Sequence, residues 1–111
     1  MNLAITELRP GVAAVRIDVP RLDAQASRPL RAALEQALQT HPTLILDLSA
    51  VGFLDSAALG VLLHTLRLAT ANGGQLALAN VNPSVRALLE LVRATSVLPV
   101  YPSVESALDV A

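Results

Sequence analysis

Cysteine is absent from the 111-residue chain, and with it disulfide staples, thiol nucleophiles and thiolate metal sites. Lysine is absent too: all eight basic residues are arginine, spread along the chain rather than gathered in a run. With nine acidic residues the net charge is -1, so the electrostatic footprint that releases counterions from nucleic acid or anionic lipid is missing. Aromatics make up only 2% against 53% apolar residues, so the core must be built from Leu, Val, Ile and Ala. No apolar run approaches the roughly 18 to 20 residues that span a bilayer. The longest, residues 57–63, stops at His64. The N-terminal stretch lacks the basic start and extended apolar segment of a secretory signal, and Glu7 interrupts it. The expectation is a cytoplasmic protein without membrane insertion or nucleic-acid binding, folded as one domain over residues 1–111.

What is present alternates between two periods. Val15, Ile17 and Val19 share one face of residues 14–19 with Arg16 and Asp18 opposite, the signature of a half-buried strand. Leu3–Leu8 is a weaker strand, and Arg9-Pro10-Gly11 makes a turn between the two, predicting an opening hairpin. From Ser27, Leu30, Ala33, Leu34, Ala37 and Leu38 recur at helical spacing, with Pro29 placed in the first turn. Residues 44–48 are a short apolar run of the kind covered on both faces of a sheet, hence a central strand. Residues 57–71 form a helix apolar enough at its start to be buried there, stopped by Asn72-Gly73-Gly74. A strand follows at 76–79. Asn82-Pro83 then starts a helix with Val85, Leu88, Leu89 and Val92 inward. Val97–Tyr101 reads as an edge strand because Pro99 lacks a donor, and Ser103 caps a last helix. The order ββ-α-β-α-β-α-β-α predicts an α/β fold with right-handed crossovers onto a mostly parallel sheet and about four helices.

In such sheets, ligands and partners meet the strand ends that lead into helices. That singles out Asp55 and Ser56, where unpaired N–H groups and the positive end of the helix favour an oxygen or negative charge. By spacing alone, a simple helix cap by Asp55 or Ser56 is the more economical account. Gly60 costs its helix about 1 kcal/mol against Ala and suggests close backbone approach, by packing inside the domain or by a partner. Arg21, Arg28 and Arg31 lie close in sequence and either face an acidic partner or form a solvated face. Neither His41 nor His64 is placed beside Ser56 as a general base, so a serine hydrolase is the weakest reading. Asp47 and Asp55 as an acid–base pair is a remote one. No spacing points to a metal, a cofactor or a phosphate-cradling loop.

Arg21-Leu22-Asp23-Ala24, Leu46-Asp47-Leu48-Ser49, Phe53-Leu54-Asp55-Ser56-Ala57-Ala58-Leu59-Gly60, Gly73-Gly74 and Leu98-Pro99-Val100-Tyr101-Pro102-Ser103 together resemble the STAS domain family over nearly the whole chain. The resemblance implies a STAS-like fold and the role of a stand-alone anti-sigma factor antagonist, which is a regulator and not an enzyme. It implies phosphorylation of Ser56 by a partner that is both anti-sigma factor and serine kinase. Leu22, Asp23, Ala24, Gln25, Asp55, Ser56, Ala57, Ala58 and Leu59 are then the partner-binding set, and a homodimer is compatible with it. The family alternative is a constitutive scaffold subunit of a transporter or lipid-transport complex. Two segments depart from the family pattern. Ala57-Ala58 stands where a small polar residue and glycine are usual, bringing a methyl group near Ser56. Arg93-Ala94-Thr95-Ser96 replaces a glycine-containing turn.

Overall fold

The computed structural model describes Met1 and residues 3–111. Its main sheet has five strands in the order β1-β2-β4-β6-β7, formed by β1 (Leu3–Arg9), β2 (Val12–Ile17), β4 (Thr43–Asp47), β6 (Leu76–Ala79) and β7 (Val100–Tyr101). The β1–β2 hairpin is antiparallel, turning at Gly11 with φ +82°, and every other pairing is parallel. Between β2 and β4 lie β3 (Arg21–Leu22) and α1 (Ala24–Thr40); β5 (Phe53–Leu54) and α2 (Ser56–Ala71) follow β4. Helices α3 (Pro83–Leu91) and α4 (Val104–Val110) complete the chain, with a 3-10 turn at Ala94–Ser96. The α/β fold, the hairpin and the four helices expected from the sequence are present.

Strand alternation divides the interior into two. Ala13, Val15 and Ile17 of β2, Leu44 and Leu46 of β4, and Leu76 and Leu78 of β6 face the larger core. There they meet Leu30 and Leu34 of α1, Ala58 and Leu62 of α2, and Val85 and Leu89 of α3. Val12, Ile45 and Ala79 point the other way, into a small cluster closed by Ala107 of α4. β4 is thus apolar on both sides because both of its faces are covered.

Several expected boundaries move. α1 begins at Ala24, not Ser27, because Asp23 supplies the cap, so Pro29 lies in the second turn on the exposed side. β2 spans Val12–Ile17 and leaves Val19 outside, and the last strand shrinks to Val100–Tyr101 behind the 3-10 turn. Val92 is not part of the inner stripe; it lies past the end of α3 and is exposed. The start of α2 is buried on one side only: Ser56, Ala57 and Gly60 are exposed while Ala58, Val61 and Leu62 turn inward. Gly73, at φ +80°, ends α2 as expected. Gly74 has a further role, since a Cβ there would overlap the Pro42 carbonyl.

Candidate functional site at the paired helix starts

The site is built by two strands too short to carry a period. β3 and β5 pair in parallel, Arg21 opposite Phe53 and Leu22 opposite Leu54. The next residue of each segment, Asp23 and Asp55, therefore stands at an equivalent place, and each caps the helix that follows. Asp23 Oδ1 accepts the Gln25 and Ala26 N–H groups at 3.1 and 3.2 Å, and Asp55 Oδ1 accepts the Ala58 N–H at 3.0 Å. Caps of this kind contribute about 1 kcal/mol each. The two segments are tied by the Asp55 N–H donating to Leu22 O at 3.0 Å and the Gly52 N–H donating to Pro20 O at 2.9 Å. The Arg21 guanidinium covers the Phe53 ring at 4.1 Å from its centroid. α1 and α2, which pack on one another, consequently begin side by side.

Ser56 is the first residue of α2, exposed, and its hydroxyl has no hydrogen-bond partner among the described residues. Asp55 performs the capping that spacing alone divided between the two, leaving the Ser56 oxygen free. Around it, two helix starts supply partial positive charge and two capping carboxylates supply negative charge.

The loop that delivers β5 to this place is pinned from three sides. Asn82 occupies the N-cap of α3 but does not cap it; its amide donates to Val51 O at 2.6 Å and Ser49 O at 3.3 Å. Ser84 donates to Gly52 O at 3.2 Å. At the loop's root, Asp47 accepts the Ser49 N–H and the Asn80 amide at 3.0 and 3.2 Å, with Arg16 at 3.8 Å. Burial raises the Asp47 pKa, but the hydrogen bonds from Ser49 and Asn80, with the Arg16 charge, outweigh it and hold the carboxyl below its ordinary value. Asp47 and Asp55 thus serve separate networks rather than one acid–base pair. His41 and His64 face Glu7 and Glu35, at 2.9 and 3.3 Å.

Of the nine residues expected to meet a partner, Ala24, Gln25, Ser56 and Ala57 are exposed, and Asp23, Asp55 and Leu59 are half-buried. Leu22 and Ala58 are fully buried in the larger core and present no side chain at the surface. The Ala58 methyl therefore points away from Ser56, into the domain. Phe53, Asn82 and Ser84 were not anticipated as parts of the site, and Arg21, expected only as one of three arginines facing an acidic partner or solvent, covers the Phe53 ring. The likeness of Leu22-Asp23 to Leu54-Asp55 is the signal from which the pairing of the two segments was readable.

The STAS domain family model matches residues 4–107. A Paenibacillus polymyxa protein named anti-sigma F factor antagonist is 34% identical over 111 residues, covering 97% of this chain and 94% of that protein. Among solved structures, an anti-sigma factor antagonist from Mycobacterium paratuberculosis superposes with a TM-score of 0.85 at 25% identity, over 98% of this chain and 92% of that one. The antagonist SpoIIAA in its unphosphorylated form gives 0.80 at 23% identity, over 97% and 94% of the two chains. The phosphorylated form of SpoIIAA from Bacillus gives 0.72 at 22% identity, over 97% of each chain.

Proposed function

The chain belongs to the STAS domain family, and from that footing we propose that it is an anti-sigma factor antagonist switched by phosphorylation of Ser56. Unmodified, it binds an anti-sigma factor that is also a serine kinase; phosphorylated, it lets that partner go. The observation that carries this reading is the free, exposed Ser56 hydroxyl at the start of α2, beside two capping carboxylates already satisfied by their own helices. The reading is supported by the 34% identical relative named as an antagonist. The protein is a substrate of the kinase, and its own chemistry ends at presenting the hydroxyl.

The switch follows from charge. A phosphoserine adds about -1.5 to -2 charges and three acceptor oxygens. At Ser56 the two helix starts attract it, but the N–H groups of Gln25, Ala26 and Ala58 are already held by Asp23 and Asp55. The new charge beside two carboxylates is thus poorly compensated unless water solvates it. A packed interface removes that water, and each ~1.4 kcal/mol of resulting penalty weakens binding tenfold.

Incubation of the protein with ATP and its cognate kinase, followed by mass spectrometry, is expected to place one phosphate on Ser56. No modification there, under conditions that label a related antagonist, overturns the switch. Ser56→Asp is expected to weaken kinase binding about tenfold or more, while Ser56→Ala binds like the unmodified chain. Equal affinities of the two variants would instead fit a constitutive scaffold.

A further inference from the structure

An open groove of about 310 Å³ runs between α1 and α2, and Ser27, Arg28, Arg31, Ala57, Gly60 and His64 are among its lining residues. Ala57 makes it continuous with the Ser56 surface. Gly60 is its most unusual feature. A glycine inside a helix loses more backbone freedom on folding than alanine does, and that cost is offset where something must come close. Among the described residues nothing does: a Cβ at Gly60 meets no atom within 4 Å apart from the neighbouring turns of its own helix backbone. Gly74, where a Cβ has no room at all, shows what a packing requirement looks like in the same chain. The internal-packing explanation of Gly60 therefore falls away.

The charge of the groove tells what would occupy it. Arg28 and Arg31 stand one turn apart on α1, and His64 lines the groove from α2. Glu35 pairs with Arg31 at 3.8 Å and with His64 at 3.3 Å, but it is not among the lining residues. No carboxylate lines the groove, and Arg28 has no ionic partner among the described residues. A channel with two arginines along its α1 wall and no side chain over Gly60 complements an acidic, closely approaching backbone.

We propose that this groove seats an acidic segment of the protein partner, its carboxylates facing Arg28 and Arg31 and its backbone passing over Gly60. The inference rests on the function proposed above in taking that partner to be the serine kinase. It adds a second anchor, about one turn along α2 from Ser56, that sets affinity and on-rate while Ser56 sets release.

The test is titration calorimetry of the full chain against its cognate serine kinase at several salt concentrations, with Ser56 labelling followed by mass spectrometry in parallel. Gly60→Leu, which fills the groove, is expected to weaken binding about tenfold or more. Gly60→Ala is expected to keep or raise Tm and still weaken binding, which separates a binding role from a folding one. Arg28→Glu combined with Arg31→Glu is expected to weaken binding and to flatten its salt dependence. Unchanged affinity in all three variants overturns the groove and leaves the Ser56 switch standing. Groove-dependent binding with Ser56 unlabelled supports the groove and overturns the switch.

Discussion

The Asp47 carboxylate receives the Ser49 N–H, the Asn80 amide and the Arg16 charge where β4 hands the chain to the loop that ends at Asp55. Its pKa lies below the ordinary value of 3.8, so the folded state binds that proton less readily than the unfolded chain does. The stability this supplies is complete above the unfolded pKa and is lost as pH falls through the lower folded one. Asp47→Asn is therefore expected to cost on the order of 1–3 kcal/mol at neutral pH, the range for hydrogen bonds to a charged group. It should also flatten the acid limb of the stability curve below about pH 4. Denaturant melts of both chains across that range read both effects, and parallel acid limbs would show that Asp47 contributes nothing by its charge. A second residue-scale prediction concerns Ala58. Since its methyl is fully buried in the larger core, Ala58→Gly is expected to destabilise by about 1 kcal/mol or somewhat more. The same change should leave the rate of Ser56 phosphorylation unaltered. A faster rate in the glycine variant, followed by phosphate incorporation, would mean that the methyl obstructs the serine after all.

At the scale of elements, what a sequence discloses depends on how many residues carry the signal. α1 declares itself through Leu30, Leu34, Ala37 and Leu38, all buried as their spacing predicts, yet its start hides because Pro29 looks like a first-turn residue. Pro29 instead sits in the second turn, where it has no N–H to donate to the carbonyl of Gln25 four residues earlier. It is tolerated there because both residues face solvent. Pro29→Ala should accordingly restore a helical hydrogen bond and raise stability by about 1–2 kcal/mol, the helix-propensity gain less the entropy regained by the unfolded chain. Thermal melts that show no gain, or a loss, would mean that the ring packs against something essential. β3 and β5 leave no periodic signal, because two residues define no period; only the likeness of Leu22-Asp23 to Leu54-Asp55 hints at their tertiary pairing. That pairing is nonetheless what brings Asp23 to Asp55. The same holds for Asn82: its position before Pro83 predicts a cap, while its amide is spent on carbonyls some thirty residues earlier in the chain.

For the whole molecule, the alternation of Val15 and Ile17, the double-sided apolar run of β4 and the recurrent strand–helix rhythm were enough to predict the layered α/β architecture. They do not disclose how unequal the two layers are. The face bearing Ser56 is backed by α1, α2 and α3 over the larger core, whereas the opposite face is closed by the seven-residue α4 over Val12, Ile45, Ala79 and Ala107. A helix that short is not stable alone, so its persistence depends on that small contact and on the Ser103–Ser106 capping box. α4 is therefore expected to open before the rest of the fold unfolds, and Ala107→Gly to accelerate that opening. Hydrogen exchange should show the amides of Ala107–Val110 exchanging faster than those of β4 and α1, with the variant widening the gap. Because α4 and Ser56 lie on opposite faces of the sheet, phosphorylation of Ser56 should proceed at the same rate in both chains. Equal protection of α4 and β4 would show that the two layers unfold as one cooperative unit.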